Sequence, residues 1–227
     1  SMKDLPHNSS EGLEIACVLA REDPRDTMVT SDGKTIHDLL PGASVGTSSL
    51  RRKSQLLAIR PDLNCKDLRG NVGSRIARLQ DGQFSAVILA TAGLKRLGLM
   101  ENSYCQFDTS LMLPAVGQGA IGVQARIDDI YVQDLLRPLS CHVSTASVKA
   151  ERKMIQVLGG DCGSPLAGLA RLIDGDLVLD GLVSDLQGRR ILRECSKGKL
   201  HDPEGLGELV AEELLKNGAK SLLALKS

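Results

Sequence analysis

Apolar and polar positions change period several times along the chain, and each change marks an element. Leu13 to Ala20 and Ser85 to Ala90 are short apolar runs that predict strands, and Ala43 to Gly46 and Asn64 to Leu68 predict two more. The spacing between them is helical. A helix over Leu50 to Ile59 follows the hydroxyls of Thr47, Ser48 and Ser49 and stops at Pro61. A second, from about Val72 to Gln80, follows the turn Arg69-Gly70-Asn71 and stops at Asp81-Gly82; Thr91 to Leu97 is a third. Strands alternating with helices over residues 42–97 predict βαβ units and a mostly parallel sheet. Glu22 to Asp26 reads as a turn, because Pro24 fixes φ and removes a donor.

After Pro114 comes a glycine-rich turn, Val116-Gly117-Gln118-Gly119, then a strand over Ala120 to Ala125 and a helix over Ile130 to Leu136. The pattern shifts near Ser140. Ser144 to Leu158 reads as one amphipathic helix ending at Gly159-Gly160. Three strands follow, Leu166 to Leu172, Leu177 to Val183 and Arg190 to Cys195, separated by the turns Asp174-Gly175 and Leu186-Gln187-Gly188. Asp202 caps a final helix from about Pro203 to Leu215. Hairpin strands packed with helices predict a small, separate α+β domain from about residue 140.

Composition narrows the function classes. No apolar run approaches the roughly 18 residues of a membrane span, and no secretion signal opens the chain. With no Trp, two Tyr and two Phe, the chain lacks the aromatic faces of a base-stacking surface, so nucleic acid is not expected. The six cysteines are widely spaced, which reads as free thiols in a reducing compartment and not as a zinc site. A bacterial cytosol is the expected location, with a plastid stroma as the alternative. Net charge is zero but uneven: ten basic residues against three acidic leave +7 between Val45 and Leu97. That segment is either a solvated basic face or a cleft for a polyanion.

Two stretches favour the cleft. Val45-Gly-Thr-Ser-Ser-Leu-Arg-Arg-Lys53 puts Arg51 and Arg52 in the first turn of a helix, where cations oppose the helix dipole and need another reason to be there. Leu68-Arg-Gly-Asn-Val-Gly-Ser-Arg75 repeats the arrangement with Arg69, Asn71 and Arg75, and Lys95-Arg96 follows a third strand. In an open α/β sheet such loops share the crevice beyond the strand ends. Arginine forks there suit carboxylate or phosphate. No phosphate-binding P-loop or dinucleotide glycine pattern is present, which disfavours nucleotides. Cys162, in the turn LGGDCGSPL, remains open on these grounds: a packing residue, half a disulfide, a metal ligand, a nucleophile or an attachment point.

Taken together, SMKDLP at 1–6, REDPRD at 21–26, VGTSSLRRKSQL at 45–56, LRGNVGSRIARL at 68–79, ILATAGLKRLGL at 88–99, LPAVGQGAIG at 113–122, AER at 150–152 and GGDCGSP at 159–165 resemble the porphobilinogen deaminase (hydroxymethylbilane synthase) family. The motifs span nearly the whole chain in the family's order. The resemblance implies a transferase of heme and chlorophyll biosynthesis that condenses four porphobilinogen units into hydroxymethylbilane with loss of ammonia. It implies a dipyrromethane cofactor in thioether linkage to Cys162, with Lys3, Thr47, Ser48, Ser49, Arg51, Arg52, Asn71 and Gln118 around it. Arg69, Arg75 and Arg96 would bind substrate carboxylates, and Asp4 would be the catalytic carboxylate, stabilising a cationic methylene-pyrrole. No metal is implied.

The implied fold is α/β. Residues 23–116 form a periplasmic-binding-protein-like domain 2, residues 1–22 and 117–139 belong to a similar domain 1, and residues 140–227 form the α+β domain that carries the cysteine. The family places further chain ahead of SMKD, completing domain 1 and adding an Arg-x-Ser loop and lysines that hold cofactor carboxylates. Without it, exposed apolar surface and self-association are expected of a family that is usually monomeric. A polycarboxylate-binding module without turnover is the alternative.

Overall fold

The computed structural model describes residues 1–6, 11–101, 103–160 and 163–224. Cys162, the expected attachment point, lies outside the described residues.

Ten strands and seven α-helices are described, in three sheets. The first sheet pairs β1 (Leu13–Val18) antiparallel with β7 (Gly122–Arg126), the register shifting at a bulge between Ile15 and Cys17. Helix α4 (Ile130–Leu136), capped by Asp129, packs on this pair. Ile130, Tyr131, Leu135 and Leu139 on this side are exposed.

The second sheet has five strands in the order β4-β3-β5-β2-β6. These are β2 (Asp26–Val29), β3 (Ser44–Gly46), β4 (Asn64–Lys66), β5 (Ala86–Ala90) and β6 (Cys105–Gln106). β3 runs parallel to β4 and β5, as the βαβ pattern predicts, but β2 runs antiparallel to both β5 and β6. The sheet is therefore mixed, not mostly parallel. The difference is β2 itself: the REDPRD stretch read as a turn through Asp26, whereas the turn ends one residue earlier and Asp26 opens a fully buried strand.

Both faces of this sheet are covered, and strand alternation sorts the side chains between them. Met28, Ala86 and Ile88 join Leu56 of α1 (Leu50–Ile59) and Met112 in one cluster. Val29, Val87 and Leu89 join Leu79 of α2 (Val72–Gln80) and Leu94 of α3 (Thr91–Arg96) in the other. Each such fully buried side chain contributes about 1.5–3 kcal/mol. Helix starts follow the sequence: Ser49 accepts from Arg52 N and Asn71 from Ser74 N.

The third sheet is the antiparallel meander β8 (Leu166–Ile173), β9 (Asp176–Ser184) and β10 (Ile191–Gly198). It is covered by α5 (His142–Leu158), α6 (Pro203–Lys216) and α7 (Ala219–Ala224). Gly168 and Gly181 face each other across β8 and β9, and a Cβ on either would lie 2.6 Å from Met154 of α5, so the helix can approach only because both are glycine. This is the small α+β unit that the sequence predicts. No helix among the described residues is long and apolar enough to cross a membrane.

Candidate functional site

One cavity of about 270 Å³ lies where the three units meet. Its polar wall is Lys3, Asp4, Ser48, Ser49, Arg51, Arg52, Arg75, Gln118 and Ser164, and its apolar wall is Ala115, Val116, Ile155 and Leu166. Eight residues singled out from sequence thus share one cavity.

The position of each follows from local structure. Met2 is buried against Val18, Ala120 and Val148, and its N–H donates to the Ala120 carbonyl at 3.0 Å. That anchor carries Lys3 and Asp4 on a single 3-10 turn to the cavity. β3 delivers Ser48 and Ser49 at the N-terminus of α1; the Ser48 hydroxyl accepts from Leu68 N at 3.1 Å, tying this loop to the next. Arg75 is held by its Nε, which donates to the Gly70 carbonyl at 2.8 Å.

Asp26 accounts for two cations in the first turn of α1. Its Oδ2 accepts from Arg51 Nη1 at 2.8 Å, and its Oδ1 accepts from Arg52 Nε and Nη2 at 3.0 and 2.7 Å. Further bonds run from Arg51 Nη1 to the Leu113 carbonyl at 2.7 Å and from Arg52 Nη1 to the Ile88 carbonyl at 3.0 Å. Burial alone would raise the Asp26 carboxyl, but Arg51 and Arg52 pull it well below the usual carboxylate range. Burial draws the Arg51 guanidinium down, with Asp26 opposing. Asp26 is the site residue that sequence reasoning missed. REDPRD signalled it as a motif, but its partners lie 25, 26 and 92 positions away.

Two buried polar atoms among the described residues lack a partner, Arg51 Nε and Gln118 Oε1, and both residues line the cavity. Lys3 is half-buried, and its ammonium is lowered to about 8, first by burial and then by Arg52, with Asp4 and Asp26 opposing. Burial and Arg52 also lower Arg75. Four cationic side chains therefore face one lining carboxylate, Asp4, with Asp26 beneath them. Such a lining is chemically suited to an anionic ligand with apolar parts.

The remaining predicted residues stand elsewhere. Thr47 is buried, and its hydroxyl accepts from Ser49 N at 3.2 Å, so it shapes the loop. Asn71 is the exposed cap of α2, its Oδ1 2.8 Å from Ser74 N. Arg69 is exposed and outside the cavity lining. Arg96 is also exposed, its Nη2 donating to the Gly119 carbonyl at 3.0 Å. Cys162 is not among the described residues; Ser164, two positions on, lines the cavity. No group of three or more metal-ligating side chains occurs among the described residues.

A second buried ion pair ties the β1–β7 unit to the C-terminal unit. Glu151 of α5 accepts from Arg21 Nη1 at 2.5 Å, from Gly117 N at 2.7 Å and from Ala170 N at 2.8 Å.

Comparison with known proteins gives two family matches. Residues 1–134 match the porphobilinogen deaminase, dipyrromethane cofactor binding domain, and residues 145–216 match the porphobilinogen deaminase, C-terminal domain. The porphobilinogen deaminase of Thiobacillus denitrificans is 45% identical over 223 residues, covering 98% of this chain and 73% of that protein. That of Syntrophobacter fumaroxidans is also 45% identical, covering 98% and 72% respectively. Among solved structures, an ABC transporter periplasmic binding protein from Brucella ovis with glutathione bound is 16% identical, with a TM-score of 0.39 over 66% of this chain and 45% of that one. A periplasmic binding protein from Salmonella typhimurium is 14% identical, with a TM-score of 0.33 over 53% and 55%. Both structural likenesses are too loose to carry an argument.

Proposed function

Since the chain belongs to the porphobilinogen deaminase family, the transferases that condense porphobilinogen into hydroxymethylbilane, we propose which of its side chains carry that chemistry. The carrying observation is one cavity that sets four cationic side chains against the single lining carboxylate of Asp4.

The residues present fit a dipyrromethane. Its acetate and propionate groups need donors, and Lys3, Ser48, Ser49, Arg51 and Arg52 supply them. Its pyrrole rings need apolar walls, and Val116, Ile155 and Leu166 supply those. Cys162 would hold it by thioether, close in sequence to the lining residue Ser164. When bound, the group supplies the free pyrrole carbon to which units are added.

The protein's part is to hold, orient and stabilise. Arg75, in the cavity wall, holds a substrate carboxylate and so helps to set the ring's orientation. Loss of ammonia breaks the carbon–nitrogen bond of the aminomethyl group, and the electron pair leaves with nitrogen. Positive charge then spreads over the methylene carbon and the ring nitrogen of the substrate. Asp4 is the carboxylate that faces this charge, in a cavity whose other ionised lining groups are cations. The apolar wall keeps water from the electron-poor carbon. Thr47 and Asn71 support the two loops from behind, and Arg69 and Arg96, outside the cavity, would meet later pyrroles of the growing chain.

We place the protein in the cytosol of a bacterium, with bacterial relatives and five free described cysteines in support. The test is turnover. Wild-type protein should convert porphobilinogen to hydroxymethylbilane, and Asp4→Ala should lower kcat by about 100-fold or more with little change in KM. Unchanged kcat in Asp4→Ala would remove the role given to Asp4.

A further inference from the structure

Within the AER stretch at 150–152, Glu151 pairs with Arg21, whereas Arg152 turns to the other end of the chain. Its guanidinium reaches across 146 and 147 positions to the two residues that follow Asp4. Nη2 donates to the Pro6 carbonyl at 2.5 Å, and Nη1 makes a longer bond to the Leu5 carbonyl at 3.4 Å. Asp4 itself is exposed, so its place is set by the backbone of its turn and not by burial of its carboxylate. That turn is held at both ends. On the N-terminal side Met2 is buried, and its N–H donates to the Ala120 carbonyl at 3.0 Å. On the C-terminal side Leu5 is extended, as a residue before proline favours, and Arg152 takes the carbonyls of Leu5 and Pro6. Met2 and Leu5 also pack with Val148, four residues before Arg152 and therefore on the same face of α5. The same helix puts Ile155 in the cavity wall.

We propose that Arg152 is a positioning residue: it fixes the Met2–Asp4 turn on α5 so that Asp4 is aimed at the cation formed in the cavity. Arg152 is outside the cavity lining and acts through Asp4. Apolar packing of Met2 and Leu5 sets the depth of the turn but is non-directional. The two carbonyl bonds supply the direction, and a guanidinium suits them because its planar fork spans both and stays charged. A displacement of about 1 Å at a reacting centre can cost of order 100-fold in rate. The inference rests on the role given to Asp4.

The test is a double-mutant cycle on porphobilinogen turnover. Arg152→Met keeps most of the side-chain stem and removes both bonds. It should lower kcat about tenfold or more, with KM within about twofold. In the Asp4→Ala background the same change should lower kcat by less than about twofold, since no carboxylate is left to aim. A loss as large in Asp4→Ala as in wild type would overturn the proposal, because a merely structural role is indifferent to Asp4; so would an unchanged kcat in Arg152→Met. If Arg152→Met does not fold, Arg152→Lys is carried through the same cycle. It keeps the charge and one of the two bonds, so its loss should be about threefold and must likewise vanish in Asp4→Ala. Backbone nitrogen-15 order parameters give a readout that needs no turnover. Those of Asp4 and Leu5 should fall in Arg152→Met from about 0.85 toward about 0.6, with Ile155 unchanged. Unaltered order at Asp4 and Leu5 would overturn the hold on the turn and leave the role of Asp4 standing. Absence of turnover in the wild-type protein would remove the role of Asp4, and this proposal with it.

Discussion

Arg52 lays the Nε and Nη2 edge of its guanidinium on one oxygen of Asp26, at 3.0 and 2.7 Å, leaving the other oxygen to Arg51. One buried carboxylate thus fixes both arginines of the α1 first turn. Asp26 takes that edge of Arg52 and only Nη1 of Arg51, and Arg51 Nε is left buried without a partner.

Removing Asp26 leaves two buried guanidinium charges without their counter-ion. Asp26→Asn should cost about 3–5 kcal/mol, read from urea unfolding, as breaking a buried pair from one side does. The carboxyl is held below its unfolded value, so its contribution is fully present above the unfolded range near 3.8 and is lost as pH falls below it. The stability gap between wild type and Asp26→Asn should therefore narrow in acid. A gap that stays constant to about pH 2.5 would contradict the pairing.

Lys3 sets a second pH dependence, of opposite sense. Its ammonium is lowered to about 8 from 10.5, so between those values the unfolded chain holds a proton that the folded one has lost. Lys3 therefore makes stability rise with pH across that window. Ligand affinity moves the other way. Deprotonated Lys3 no longer attracts a carboxylate, so porphobilinogen affinity should fall above about pH 8 by up to tenfold per pH unit. Lys3→Arg should push the fall to higher pH. A pH-independent affinity up to about pH 9.5 would show that Lys3 does not touch the ligand.

Glu151 bonds Arg21, Gly117 and Ala170 at once and is 0% exposed. Glu151→Ala should destabilise by about 3–5 kcal/mol, and amide exchange at Gly117 and Ala170 should accelerate together. Acceleration at only one of the two would break the claim that one carboxylate ties the crossover to the C-terminal sheet.

Gly188 brings the β9–β10 turn onto α1. A Cβ there would lie 2.0 Å from the Ser54 carbonyl oxygen and 2.7 Å from Ala58 N, and its φ is +67°. Nearby, the Ser184 hydroxyl meets that of Ser54 at 2.7 Å. Gly188→Ala should cost at least about 1–3 kcal/mol. It should also weaken porphobilinogen binding, because it pushes on the helix that carries Arg51. Wild-type stability in Gly188→Ala would mean that this turn is not pressed against α1.

Elements with local punctuation were legible in the sequence. Helices Leu50–Ile59, Val72–Gln80 and Ile130–Leu136 have the bounds their spacing predicts, because caps and breakers are short-range signals. β2 was not legible: its four residues are all buried and show no alternation, and Pro24 two positions earlier reads as a turn. β6 has only two residues, too few to leave a pattern. The basic, carboxylate-seeking character of the site was visible in Arg51, Arg52 and Arg75. Its organisation around Asp26 depends on pairings across 25 to 92 positions that no local pattern records.

The central claim is a tetrapyrrole-building group held by thioether at Cys162. Intact mass of the purified, denatured chain tests it, with Cys162→Ala as the control. The account predicts an excess over the sequence mass equal to two linked pyrroles in the wild type and the bare sequence mass in the variant. A bare mass in the wild type, or an excess that survives in Cys162→Ala, would contradict it.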